Sequence, residues 1–94
     1  MINKLFVEFI GTFIFLSVIL VSKSKEMVLT AIGIGMSLAI AIMFGGRVSG
    51  GHFNPAVSFM MYLNKAINEQ ELLGYILSQC VGGALALNFY NITN

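Results

Sequence analysis

Charge is the scarcest property of this sequence. Only 10% of its 94 residues are charged, five basic against four acidic, for a net charge of +1, while 57% are hydrophobic. Mean hydropathy is +0.89. A water-soluble domain of this size needs far more charge to cover its surface, so that class is excluded. With no basic surplus, nucleic acid is excluded as a partner. A single cysteine, Cys80, rules out a disulfide within the chain. Lying in an apolar run, it reads as a small buried hydrophobe rather than a reactive thiol. The sequence has no Cys/His cluster at metal-ligand spacing, no Ser/His/Asp set and no glycine-rich phosphate loop. It implies no enzyme, no cofactor and no metal. Proline and histidine also occur once each, and both fall in the same short segment, as Pro55 and His52.

What the sequence does have is three long apolar runs, LFVEFIGTFIFLSVILVS at 5–22, MVLTAIGIGMSLAIAIMF at 27–44 and LLGYILSQCVGGALALNFY at 72–90. Each approaches the ~20 residues that cross a ~30 Å hydrocarbon core as a helix. Short charged stretches at 23–26 and 68–71 separate or precede them. The expected fold is an all-α integral membrane protein, one unit over 1–94, with three transmembrane helices in contact with the lipid bilayer. The first run is read as a retained helix rather than a cleaved signal. It is long, Glu8 interrupts its beginning, and no small-x-small cleavage pattern stands near Ser22.

Residues 45–71 are too many for a simple turn and too apolar for a water-exposed loop. Within them AVSFMMYL, at 56–63, carries no charge. A helix from Pro55 to near Asn64 would be about 15 Å long, roughly half the hydrocarbon core. That predicts a re-entrant loop and half-helix over about 45–64. The alternative, an amphipathic helix lying on the interface, is disfavoured because apolar residues fall on nearly every face.

The dipeptide Asn54-Pro55 explains how such a half-helix starts. Proline is best tolerated at the first helical position, and asparagine is among the best caps before it. The Asn54 side-chain oxygen can accept from the N–H of Ala56 or Val57, which holds its amide NH2 outward as a donor. At the membrane midplane this end carries the positive pole of the helix dipole, which favours passing oxygens and repels cations. Gly50 and Gly51 let the preceding backbone run extended and expose its carbonyls. At membrane depth such backbone is tolerated only when buried in protein or lining a watery cavity. Donors beside a row of acceptors make a path for a small, polar, uncharged solute. The other reading of these residues is an ordinary Asn-Pro turn between two helices. Glu8 is an intramembrane carboxylate, which is costly and usually partnered; alternatively it sits near the headgroups one turn past Lys4 and is solvated.

The segment SGGHFNPAV, residues 49–57, resembles the first Asn-Pro-Ala loop of the aquaporin and glycerol-facilitator family (major intrinsic proteins), especially in bacterial water channels. EFIGTF at 8–13 is similar to that family's first-helix signature, and GYILSQCVGGA at 74–84 resembles its third helix. The resemblance implies a channel for passive diffusion of water, or of glycerol and other small neutral solutes, in a multi-pass protein of the plasma or cytoplasmic membrane. It makes Asn54 the pore donor, with Pro55 and Ala56 seating the half-helix tip. Backbone carbonyls of Gly50, Gly51, His52 and Phe53 would line the inner half of the pore. Glu8 would brace the loop backbone, Gln79 would be a helix-to-loop contact, and Gly82 and Gly83 would permit close helix approach. His52 would be a loop brace rather than a proton relay. Ile34 stands twenty residues before Asn54, where many water channels carry an aromatic that shapes the outer constriction. It would leave that side of the pore apolar.

Family members have two such halves, inverted in the membrane, and this sequence matches one. The second loop and the arginine beside it are not in it; Arg47 precedes the first loop and does not replace that arginine. A working pore therefore calls for a second half, either another copy of the chain in antiparallel orientation or a complementary channel half. The alternative is a truncated, non-conducting interaction module or remnant. The pattern Asn91-Ile92-Thr93 matches a glycosylation acceptor and reads as a chance occurrence at the edge of the membrane. Lys4, Arg47 and Lys65 fall on one side against Lys23 and Lys25 on the other, a weak positive-inside bias that permits insertion both ways. If the chain pairs with itself antiparallel, a reporter fused after Asn94 is expected on both faces of the membrane. Its detection on one face only rules that pairing out.

Overall fold

Four helices account for the long apolar runs, and each of the last three has a side-chain cap at its start. The computed structural model describes residues 1–22 and 26–94. Helix α1 spans Ile2–Ser22, α2 Met27–Ser49, α3 Pro55–Leu63 and α4 Glu69–Thr93. Glu26 caps α2, its carboxylate accepting from the N–H of Val28 and of Leu29, both at 3.1 Å. Asn54 caps α3 through Ala56 N–H at 2.8 Å. Asn68 and Glu71 form a reciprocal capping box on α4, at 2.8 and 3.0 Å, which satisfies two otherwise orphaned donors. α1, α2 and α4 are long and apolar enough to cross a membrane. α3, nine residues long, covers only about 14 Å. The chain is an all-helical, multi-pass integral membrane protein.

The helices outrun the apolar runs that announce them. α1 starts at Ile2, and α4 covers Glu69–Thr93. α2 continues past Phe44 to Ser49, so the irregular backbone between α2 and α3 shrinks to 50–54. Gly45 and Gly46 do not stop α2, because Gly45 is packed against Val7 and Phe53 with no room for a side chain. The stop comes at Gly50, whose φ of 91° and N–H bond to the Gly46 carbonyl at 2.9 Å make a left-handed cap. The expectation for Cys80 is corrected: it is exposed. In a bilayer the outward face of a helix is as apolar as the inward one, so an apolar neighbourhood in sequence does not imply burial in protein. Asn91 to Thr93 belong to α4 rather than to a surface loop. Lys23 and Lys25 lie outside the described residues.

α1 is the central helix, flanked by α4 on one side and α2 on the other, and α3 packs on α4. The buried residues of α4 are Leu72, Tyr75, Gln79, Gly82 and Ala86, a single stripe at helical spacing. Membrane helices associate through close packing and polar contacts, since lipid offers no hydrophobic drive between them. Gly82 supplies the closeness: a Cβ there would stand 2.8 Å from the Phe9 carbonyl oxygen and 3.2 Å from the Phe13 nitrogen. At Gly83 a Cβ would meet Leu16 at 3.0 Å. Away from these seams large apolar side chains face outward, Phe44 at 90% and Met43 at 82% exposure, as a bilayer-facing surface requires. Lys4 Nζ meets Glu71 Oε2 at 2.7 Å and ties the start of α1 to that of α4. Because main-chain atoms cannot yield at Gly82, Gly82→Ala is expected to lower stability by about 1–3 kcal/mol. Gly33→Ala, whose Cβ meets nothing within 4 Å, is expected to be neutral or stabilising in α2. Thermal unfolding of both variants in micelles checks the contrast.

Candidate functional site

The five residues 50–54 turn the chain from the end of α2 into α3 by an unusual run of backbone conformations. Gly50 and Gly51 have φ of 91° and 66°, and Phe53 follows at 52°. Glycine adopts these angles freely, but a non-glycine residue there carries strain of about 1–3 kcal/mol. Two sets of contacts hold Phe53 in place. Its side chain, 2% exposed, lies in a slot floored by Gly11 of α1 and Gly45 of α2, where a side chain at Gly11 would overlap the ring. Its N–H is tied down by a carboxylate.

That carboxylate is Glu8, on α1, with 0% exposure. Oε1 accepts from Phe53 N–H at 2.7 Å and from Gln79 Nε2 at 2.9 Å. Oε2 accepts from Ser49 Oγ at 2.7 Å and from His52 N–H at 3.0 Å. Each oxygen thus has two donors, and among the described residues no lysine or arginine pairs with it. Charge-assisted bonds of this kind are about twice as strong as neutral ones, so they offset burial of the charge without a cation. The turn presents consecutive N–H groups to one anion, the arrangement of a backbone nest.

From Glu8 the network spreads in two directions. Gln79 Nε2 also donates to Ser58 Oγ at 2.9 Å, and Ser58 Oγ lies 2.8 Å from His52 Nδ1. Ser58 Oγ thus bridges the α4 amide and the imidazole of the turn. In the other direction, Ser49 Oγ accepts from Gly51 N–H at 3.1 Å, and the Ser49 carbonyl accepts from the Tyr75 hydroxyl at 2.6 Å. The His52 and Tyr75 rings are 4.9 Å apart. α1, α2, the turn, α3 and α4 therefore meet in one buried polar cluster.

Asn54 stands at the open edge of that cluster. It is exposed, as are Pro55 and Ala56. Its Oδ1 is occupied by Ala56 N–H at 2.8 Å, while its amide NH2 donates to no other group among the described residues. The Asn54 carbonyl accepts from Ser58 N–H at 3.1 Å and begins the ladder of α3. The turn itself bonds through its N–H groups: those of Gly50, Gly51, His52 and Phe53 all have acceptors. Among the described residues none of the carbonyls of 50–53 receives a hydrogen bond. The arrangement combines a fixed amide donor at a helix N-terminus with a short row of free acceptors.

Of the residues singled out from sequence, Glu8, Gly50, Gly51, His52, Phe53, Asn54 and Gln79 come together here, with Pro55 and Ala56 beside them. Gly82 and Gly83 lie further along α4, at its seam with α1. Ile34 stands apart in α2, half-buried, its carbonyl accepting from Ser37 Oγ at 2.7 Å. Ser49, Ser58 and Tyr75 are members that sequence reasoning passed over. Tyr75 was the most accessible of them, four residues before Gln79 and seven before Gly82 on one helical face. The two serines gave no signal, because their roles come from the fold of the turn.

The chain matches the model of the family described as "Major intrinsic protein" over residues 1–94. It is 44% identical over 89 residues to "Glycerol uptake facilitator protein-like 6" of Lactiplantibacillus plantarum, a match covering 89% of this chain and 40% of that protein. It is 32% identical over 95 residues to "Aquaporin Z" of Photorhabdus laumondii, covering 92% and 41% respectively. With "Aquaporin PIP2-7" of Arabidopsis thaliana it shares 36% identity over 99 residues, 93% of this chain and 35% of the relative. The chain thus spans well under half the length of these relatives. No solved structure gives a significant match.

Replacing the Glu8 carboxylate by an amide puts NH2 hydrogens against the donors of one of the two oxygens and removes the charge. Hydrogen bonds to charged groups contribute about 1.5–3 kcal/mol each. Glu8→Gln is accordingly expected to lose about 3 kcal/mol or more of stability. Hydrogen exchange should show the amides of His52 and Phe53 deprotected ahead of those in α1 and α4.

Proposed function

The chain belongs to the major intrinsic protein family, and on that premise we propose that it supplies one half of a channel for passive diffusion of water, and of glycerol or similar small neutral solutes, across a membrane. The observation that carries this reading is Asn54. Its oxygen is consumed by the helix cap, so what remains exposed is a donor at the positive end of α3. A solute oxygen can accept from that donor while its own hydrogens meet the free carbonyls of residues 50–53. Hydrogen bonds lost from bulk water are replaced along the way, and a cation meets a repelling pole. The glycerol-facilitator and aquaporin names of the relatives support this solute class. Ile34, with no aromatic ring, would leave one wall of the path apolar.

A half-helix of nine residues reaches only about half the hydrocarbon core. The path is complete when a second half-helix enters from the opposite side, supplied by a second copy in antiparallel orientation or by a complementary channel half. Osmotic shrinkage of liposomes containing the chain tests this. Shrinkage faster than that of empty vesicles, with a low activation energy and impaired by Asn54→Asp, is the expected result. Background rates from folded, inserted protein would mean that copies of this unit alone make no pore, and that it acts as a non-conducting partner of another half.

A further inference from the structure

The Phe53 side chain is the one part of the turn that the hydrogen-bond network does not explain. Its backbone angle, φ 52°, is one a glycine would adopt without strain, so the ring must contribute something that a glycine cannot. The ring is 2% exposed and sits where Gly11 of α1 and Gly45 of α2 face each other. Both glycines lack room for a Cβ, Gly11 because of the ring itself and Gly45 because of Val7. Beyond the ring an apolar cleft of about 430 Å³ opens between α1 and α2, lined among others by Ile10, Ile14, Ala41 and Phe44. Elsewhere α3 packs only on α4. Besides the Gly51 N–H bond to Ser49 Oγ, the turn leading into α3 is joined to α1 and α2 by the Glu8 bonds to two N–H groups and by this ring, which directly precedes Asn54.

The geometry points to Phe53 as the positioning residue of the half-helix: its ring, seated in the Gly11–Gly45 slot, sets how deep and in what direction α3 presents Asn54. The hydrogen bonds of Gly51, His52 and Phe53 all gather on the one polar cluster around Glu8. The ring, held between two helices, adds a second, apolar point of attachment away from it. A methyl group at Gly11 would push the ring toward the open cleft and carry the tip of α3 with it. The purpose of this positioning rests on the channel reading, but its existence does not.

The test measures distances rather than flux. Spin labels on native Cys80, exposed on α4, and on the thiol of Ala56→Cys report the tip of α3. The pair Cys80 with Asn64→Cys reports its far end. Spectra are recorded in lipid with excess unlabelled chain to suppress contacts between copies. Gly11→Ala, Phe53→Ala and the milder Phe53→Leu are each expected to shift and broaden the tip distance and to leave the far-end distance unchanged. In the Phe53→Ala background, Gly11→Ala is expected to add nothing, because there is no ring left to displace. The assignment is overturned by an unmoved tip, by equal movement at both ends, or by additive effects of the two substitutions. A parent chain that passes no water but shows these shifts sinks the channel reading alone; a conducting parent whose tip ignores all three substitutions sinks this one alone.

Discussion

A single buried carboxylate organises this unit. A carboxylate withdrawn from water must find donors that make good its lost hydration, and among the described residues no cation is within reach of Glu8. The chain answers with main-chain and side-chain donors from three other segments, α2, the turn and α4, and each donor is thereby fixed. The left-handed turn, the orientation of Gln79 and the placing of Ser49 are all consequences of bringing N–H and O–H groups to one point. Removing any one donor weakens the cluster, but removing the carboxylate leaves every donor without its common acceptor.

From that point the division of labour follows. Main-chain N–H groups of Gly51, His52 and Phe53 are spent inward on Ser49 and Glu8, so the carbonyls of the same residues are left with no protein partner among the described residues. The cap on α3 consumes the Asn54 oxygen, so its NH2 is left over in the same way. What is left over is the complement of what holds the fold, and one set of internal bonds produces both.

Much of this was legible in the residues. Three apolar runs gave the three spans, and Asn54-Pro55 gave the start of α3 through elementary cap chemistry. The ends of the helices were less legible. Gly45-Gly46 looks like punctuation, yet α2 runs through it because close packing on Val7, which no local pattern shows, makes use of the missing side chain. Cys80 read as buried because apolarity marks protein interior and lipid-facing surface alike. The contributions of Ser49 and Ser58 depend on contacts between residues 41 and 21 positions apart. No periodicity encodes these, whereas Tyr75 shares the helical face of Gln79.

The centrality of α1 bears on how the chain is made. α1, against which both α2 and α4 pack, precedes them in the chain, so during synthesis it is available as a template for each of them. α2 can dock on it at once, as a hairpin with short-range contacts. The donors for Glu8 arrive much later, at sequence separations of 41 residues for the end of α2, 44 and 45 for the turn and 71 for α4. Until then the nascent chain holds an unsatisfied carboxylate within an otherwise apolar span. The arrival of α4 closes the circuit, joining it to α1 through the same residue that orders the finished cluster.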